Sequence, residues 1–225
     1  MARPLFDPLT VPVDFVGGEA PLAAERLDSN WLRARLANQL PWTVEDDDER
    51  HWRQLQMGFP VREAAVLMPI VQRASGPTML FTQRDPDLTD HPGQISFPGG
   101  RVEAYDASPI ETALRETEEE IGLARKHIEI IGQLPLYHTG TGYCVTPTIG
   151  LVMPPFDLQP DVREVAEVFE VPLMFLMDGN HHQHHTVRLP GQTARRTFYS
   201  MPYQHHFIWG ATAAMIRNLF HLLRS

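Results

Sequence analysis

Apolar residues alternate with polar ones through most of this chain, and they recur at helical spacing in three places. Alternation or short apolar runs bounded by turn residues predict strands at Ala64–Val71, Met79–Arg84, Ile95–Phe97, Ile128–Leu134, Val145–Met153, Glu164–Val171, Thr186–Leu189, Arg196–Pro202 and Phe207–Trp209. A Ser75-Gly76-Pro77 turn should join the first two. Helical spacing appears in Asp28–Leu40, with Trp31, Leu32, Leu36 and Leu40 on one side, and in the closing segment Ala211–Leu223. The third helix has the clearest ends. Ser108 and Glu111 have the S-x-x-E spacing of a capping box, Pro109 takes the first helical position, and Gly122 supplies a stop. Strands dominate, so the expected fold class is α+β. Residues 1–60 read as an accessory helical segment before a core domain at 61–225.

Within the capped helix, Ile110, Ala113, Leu114, Thr117 and Ile121 form an apolar arc. Glu116, Glu119 and Glu120 crowd the adjacent edge, with Arg115 beside Glu119, while Glu111 and Glu118 point toward solvent. Like charges at i,i+3 and i,i+4 repel. A hard divalent cation removes that penalty by taking carboxylate oxygens, and it completes its shell with water and substrate phosphates. A Gly99-Gly100 turn lies just upstream, so the pattern points to a metal site facing a phosphate-bearing ligand.

The run Arg115-Glu116-Thr117-Glu118-Glu119-Glu120-Ile121-Gly122-Leu123 resembles the second half of the Nudix box, R-E-U-x-E-E-x-G-U, with Thr117 at the usually aliphatic position. The first half departs from the pattern. Asp106 stands where a Glu is usual, six residues after Gly100, and the loop to Arg115 carries one extra residue. No metal is assigned to Asp106. Upstream, Leu80-Phe81-Thr82-Gln83-Arg84, Gly93 and Phe97-Pro98-Gly99-Gly100 resemble the segment preceding the box in coenzyme A pyrophosphatases, although a second expected arginine is Thr89 here. Asp90–Ser96 and Ile208–Ala213 resemble that subfamily as well.

The resemblance implies an α/β/α sandwich around a mixed sheet. It also implies Mg²⁺-dependent hydrolysis, Mn²⁺ substituting, of coenzyme A or its derivatives to adenosine 3′,5′-bisphosphate and 4′-phosphopantetheine. Glu116 and Glu120 would be direct metal ligands, Glu119 a ligand directly or through water, and the Gly99 carbonyl would complete the shell. Arg115 would hold the carboxylates. The general base would be Glu164 from outside the box, with Glu167 second, or a box carboxylate such as Glu119. Arg84 and Arg101 would contact substrate, with Tyr143 and Trp209 walling a groove. Two other readings stay open: hydrolysis of a different diphosphate such as ADP-ribose or a dinucleotide, and a silent binding module on the same scaffold. The intact carboxylates argue against the latter.

Composition narrows the setting. A net charge of −9 argues against nucleic acid as the main partner. No apolar run reaches the length of a membrane span, and the N-terminus lacks the apolar core of a leader, so a cytoplasmic enzyme is expected. A lone Cys144 excludes an intrachain disulfide framework and reads as a small buried residue in a strand. Positive charge is almost all arginine, Lys126 being the one lysine, which suits phosphate recognition. The histidines at 181, 182, 184 and 185 read as a surface loop after the Asp178-Gly179-Asn180 turn, and the acidic run from Glu45 to Glu49 as a solvated loop or helix start. His205 and His206 flank a strand and read as core-edge residues or substrate contacts, and His91 and His138, near the expected cleft, are candidate substrate contacts. The oligomeric state is not legible.

Overall fold

A computed structural model of the chain describes residues 6–38, 40–45, 61–88, 91–188 and 195–225. Its strands and helices are, in order, β1 (Phe15–Val16), α1 (Ser29–Ala37), β2 (Arg62–Arg73), β3 (Gly76–Arg84), β4 (Ile95–Ser96), β5 (Gly99–Arg101), α2 (Pro109–Ile121), β6 (Ile128–Gln133), β7 (Tyr137–His138), β8 (Tyr143–Val152), β9 (Val165–Pro172), α3 (Leu173–Leu176), β10 (Gln183–Arg188), β11 (Arg195–Tyr203), β12 (His206–Trp209) and α4 (Gly210–Arg224). The class is α+β. The main sheet runs β4-β3-β2-β8-β6, with β5, β7 and β9 paired to β2, β8 and β3 respectively. It is mixed: β2 and β8 are parallel over ten residue pairs, Arg62↔Tyr143 through Val71↔Val152, and the other pairs are antiparallel. The smaller sheet runs β1-β10-β11-β12.

Strand alternation sorts the core into two sides. From β2, Ala65 and Leu67 meet Ala113 of α2, while Val71 joins Leu80, Val152, Val165 and Ile121 around the end of that helix. Ala64, Met68, Ile70, Met79, Phe81, Ile149 and Leu151 face the opposite way. They share the larger core with Met201 and Ile208 of the second sheet, with α4, and with Leu22, Leu27, Leu32 and Leu36 of the N-terminal residues. Each fully buried side chain of this size contributes about 1.5–3 kcal/mol. Arg217 of α4 ties the N-terminal segment down through ion pairs with Glu19 and Glu45. Among the described residues no helix is long and apolar enough to cross a membrane.

Several local expectations change. The β2–β3 hairpin turns on Ala74 and Ser75, because Arg73 already pairs with Gly76, so Gly76 and Pro77 belong to β3. Helix α1 stops at Ala37, where Asn38 leaves helical dihedrals, and Leu40 is exposed. Glu45 is not solvated: it accepts hydrogen bonds from Tyr199 (2.5 Å), Arg217 Nε (2.7 Å) and His221 Nε2 (2.6 Å). Residues 46–49 of that acidic run lie outside the described residues. The histidine-rich segment is not a surface loop either. It enters β10, with His182 and His185 buried. His182 Nε2 meets the Leu176 carbonyl at 2.8 Å and its Nδ1 accepts from Arg217 at 3.1 Å, so burial lowers its pKa to about 4 and it packs as a neutral imidazole. His185 stacks on Phe198 at 4.6 Å and reaches Ser200 Oγ at 2.8 Å. His182 thus ties the entry to β10 to α3 and α4, and His185 packs within the second sheet.

Candidate metal centre

Helix α2 begins as the sequence indicates. Ser108 Oγ accepts from the Glu111 amide at 3.3 Å, Pro109 follows, and Gly122 closes the helix in the left-handed conformation at φ 69°. A cap of this kind is worth about 1 kcal/mol. Thr117, at the usually aliphatic position, is buried and donates to the Ala113 carbonyl at 2.6 Å, so its hydroxyl costs the interior little. Glu111 and Glu118 do not simply face water, since both pair with Arg125, at 2.6 and 3.5 Å.

The three acidic residues of the edge differ sharply in environment. Glu120 is 7% exposed and turns toward the sheet, where its Oε2 accepts from the Gly99 amide at 3.1 Å. Burial pushes its pKa up to about 7; the charges of Glu116 and Glu164 add to that push, while the Gly99 N–H and the Arg84 charge oppose it. Glu116 is partly buried, and burial raises its pKa against the pull of Arg115, with Glu119 and Glu164 pushing the same way. Glu119 sits at the outer margin, its side chain 61% exposed. Its neighbours on the edge are therefore the buried pair that needs a counter-charge.

Glycine at 100 makes room for one of them. A Cβ built there would meet the Glu116 carboxylate carbon at 2.4 Å and its oxygens at 2.5 and 2.6 Å. At Gly99 a Cβ would meet the Ala65 carbonyl at 2.4 Å and the Val66 Cα at 2.6 Å, so there the conflict is with the backbone of β2. The Gly-Gly strand thus packs directly under the helix carboxylates. Two desolvated carboxylates, a third near enough to feel their charge, and a cradle that excludes side chains fit a hard divalent cation. The residues able to hold it are Glu116 and Glu120, with Glu119 at the rim. Gly99 presents its amide to Glu120.

Arg115 is clamped by a residue for which the sequence assigned no role. Its Nε and Nη2 donate to Asp106 Oδ1 and Oδ2, both at 2.9 Å. Nη1 then serves Glu116 at 2.8 Å and Glu119 at 2.9 Å, and Nη2 also reaches the Arg101 carbonyl at 3.3 Å. Asp106 accepts further from Thr112 Oγ1 at 2.8 Å and from the Glu103 amide at 3.0 Å. The Arg115 guanidinium beside it holds its carboxyl well below the usual carboxylate range. The signal was present as an Asp one residue farther from the arginine than the family spacing.

The remaining sequence-selected residues divide. Arg84 ends β3 and bears on Glu120, while Glu164 lies just ahead of Val165, the β9 partner of Arg84. The Glu164 carbonyl accepts from the Asp85 amide at 2.8 Å. Asp161 N–H donates to the Glu120 carbonyl at 2.9 Å, which folds the 159–164 loop onto the end of α2. Arg101 is exposed at the end of β5, and it is its carbonyl that meets Arg115. Glu167 belongs elsewhere. It pairs with Gln83 in the regular β3–β9 register, ahead of the shift between Gln83 and Arg84, and its carboxylate meets His206 at 3.2 Å. The expected groove walls are also engaged: Trp209 packs on Phe6 and Phe198, and the Arg62 guanidinium lies 4.1 Å over the Tyr143 ring. Cys144 is half-buried on β8, and His91 Nδ1 lies 2.9 Å from Gln94 Oε1. His138 stands on β7, paired with Cys144. Thr89 and Asp90 fall outside the described residues.

Comparison with known proteins agrees with this geometry. The NUDIX domain model matches residues 61–187. The Nudix hydrolase NudL of Photorhabdus laumondii is 42% identical over 158 residues, covering 70% of this chain and 83% of that protein. The NudL of Escherichia coli is 43% identical over 159 residues, covering 70% and 81%. Among solved structures, an Ap4A hydrolase of C. elegans covers 50% of this chain and 81% of its own at 23% identity, with a TM-score of 0.43, too loose a likeness to bear on substrate. With its carboxylate-bearing helix over a Gly-Gly strand and relatives above 40% identity, the chain belongs to the Nudix hydrolase family.

Proposed function

We propose that this Nudix hydrolase cleaves the pyrophosphate bond of coenzyme A or its derivatives with Mg²⁺, giving adenosine 3′,5′-bisphosphate and 4′-phosphopantetheine. The observation that carries the reading is the placement of Arg84. The Leu80–Gly100 segment that resembles coenzyme A pyrophosphatases delivers this arginine at the end of β3, where its charge bears on buried Glu120. A cation at that point suits a substrate phosphate held beside the metal centre.

Metal bound there supplies charge neutralisation of the pyrophosphate oxygens and lowers the pKa of a water. The chain's own residues do the rest. Glu116 and Glu120 position the centre from one helix edge, and Arg115, fixed by Asp106, keeps Glu116 and Glu119 from splaying. Glu164 takes the proton of the attacking water as its oxygen bonds to phosphorus and the bridging P–O bond breaks. The proton and the water oxygen end on the two phosphate products, so the step balances without redox chemistry. Arg84 and Arg101 bind the anionic substrate. The work is positioning and electrostatics, as phosphoryl transfer requires. The test is kcat/KM for coenzyme A, dephospho-coenzyme A and ADP-ribose at one Mg²⁺ concentration, with products identified by mass. Coenzyme A should be preferred, and acyl derivatives tolerated. A clear preference for ADP-ribose would remove the coenzyme A reading and leave the family one.

A further inference from the structure

A second group of metal-ligating side chains lies on the side of the main sheet away from α2. Glu167 of β9 shares that side with Phe169 and Val171, whereas Val165 and Val168 pack toward α2 across the bulge. Glu167 Oε2 lies 3.2 Å from His206 Nε2 and 4.0 Å from His205 Nε2, and one ligand atom from each residue falls within 4.8 Å of the others. Consecutive residues entering a strand ordinarily point to opposite faces. The β11–β12 hairpin overrides this. Tyr203 pairs with His206, leaving Gln204 and His205 as a two-residue turn, and Gln204 takes φ 54°. Non-glycine residues adopt that region at a cost. The turn brings the two imidazoles together, with ring centroids 3.9 Å apart.

These distances match a coordination polyhedron. Ligands about 2.0–2.1 Å from a tetrahedral ion stand roughly 3.3 Å from one another. The Glu167–His206 spacing is already there. The His205 spacing closes by a small rotation of a side chain that is 71% exposed at the turn. His206 is held in place by stacking on Phe169, 3.6 Å between centroids and 3° between planes. Two imidazole nitrogens and one carboxylate oxygen select Zn²⁺ and its neighbours over Mg²⁺, which prefers oxygen alone. A plain Glu167–His206 hydrogen bond would account for the buried histidine but gives no reason for the second imidazole.

We propose that Glu167, His205 and His206 form a Zn²⁺-class transition-metal site with an open fourth position, separate from the carboxylate centre on α2. Such an ion would clip β9, the strand that follows Glu164, to the hairpin of the second sheet. His206 Nδ1 is buried with no hydrogen-bond partner, so the site lacks the supporting acceptor that sharpens the tightest histidine sites. Its affinity should be correspondingly modest.

The test uses the full chain in excess Mg²⁺, so that the carboxylate centre is occupied. Zn²⁺ binding is followed by calorimetry, Co²⁺ binding by its visible spectrum, and the melting temperature is read with and without Zn²⁺. One Zn²⁺ per chain, an intense tetrahedral Co²⁺ band and a Zn²⁺-dependent rise in melting temperature are expected. His205→Ala, at an exposed turn that the fold does not depend on, should lower Zn²⁺ affinity roughly tenfold or more and abolish the band. Glu167→Gln should weaken binding likewise. His184→Ala, which removes a histidine paired with Asp14, should leave it unchanged. Undiminished Zn²⁺ binding in His205→Ala, an octahedral Co²⁺ spectrum, or an equal loss in His184→Ala would overturn the proposal.

Discussion

Replacing Gly100 by alanine should separate catalysis from stability. The added methyl would sit 2.4 Å from the Glu116 carboxylate carbon, where ordinary contact begins at 3.4 Å, so the carboxylate must retreat by about 1 Å. Carboxylate ends are flexible and the obstruction is not backbone, so the fold can absorb the change. The chemistry cannot: a misplacement of about 1 Å in a positioning group costs on the order of 10²-fold in rate, or roughly 2.7 kcal/mol of transition-state stabilisation. Stability moves the other way or hardly at all, because alanine removes chain entropy from the unfolded state worth about 0.4–1 kcal/mol. That corresponds to a shift in melting temperature of only a few degrees, roughly 2–4 °C per kcal/mol. The assay pairs kcat at saturating substrate, across a Mg²⁺ titration, with a thermal melt of the same preparation. Gly99→Ala is the contrast, since its methyl would strike the Ala65 carbonyl and the Val66 backbone, and it should lower the melting temperature outright. Near wild-type turnover and an unchanged Mg²⁺ requirement in Gly100→Ala would refute the placement of Glu116 in the working centre.

Glu116→Gln and Glu120→Gln should each abolish most turnover while the fold survives, because removing charge from a desolvated edge relieves repulsion; activity and far-ultraviolet circular dichroism check this together. Arg84→Ala should raise KM for coenzyme A more than for dephospho-coenzyme A if the side chain reads the 3′-phosphate, and equal losses on both would assign it to the pyrophosphate. Burial alone would push the Glu45 carboxyl up, but hydrogen bonds from His221 and Tyr199 and the Arg217 charge outweigh it and hold the pKa at about 2, against 4.5 unfolded. Its folded value is depressed, so its stabilisation is present above pH 4.5 and disappears as pH falls toward about 2. With partial exposure discounted this amounts to roughly 1–3 kcal/mol; Glu45→Gln should flatten the acid limb of stability against pH, and an unchanged limb would show that the carboxylate is not ionically held.

Much of the candidate metal centre was legible because it is local. The cap at Ser108, the stop at Gly122 and the run of glutamates are read within one helix, and one hundred degrees per residue places the acidic edge. What one helix cannot report is depth. Glu119 and Glu120 are sequence neighbours, yet one is exposed and the other buried, because only the sheet beneath decides which side of the edge is dry. Long-range pairing was likewise hidden. Glu164 and Glu167 were read as first and second choice of base, and nothing local in the sequence shows that Glu167 lies opposite Gln83 with its carboxylate on His206, on the side of the sheet away from α2. The histidine segment failed for a related reason. Polar side chains beside a turn signal read as a loop, whereas their partners, Arg217, Leu176 and Ser200, are distant in sequence or not recognisable as partners from it.

Asp106 departs from the family pattern in residue type and in spacing, yet it makes a close ion pair with Arg115. Relative to that pattern the loop is one residue longer and the side chain one methylene shorter. Both of its oxygens lie 2.9 Å from the guanidinium, in the bidentate geometry that carboxylate and arginine favour. Thr112 and the Glu103 amide donate to the same carboxylate and fix it in that position. The arginine so held has one nitrogen left for Glu116 and Glu119, which orders the edge before any cation arrives. A mismatch in spacing and a mismatch in residue type, each a reason to discount the position in the sequence, do not keep this carboxylate from holding Arg115.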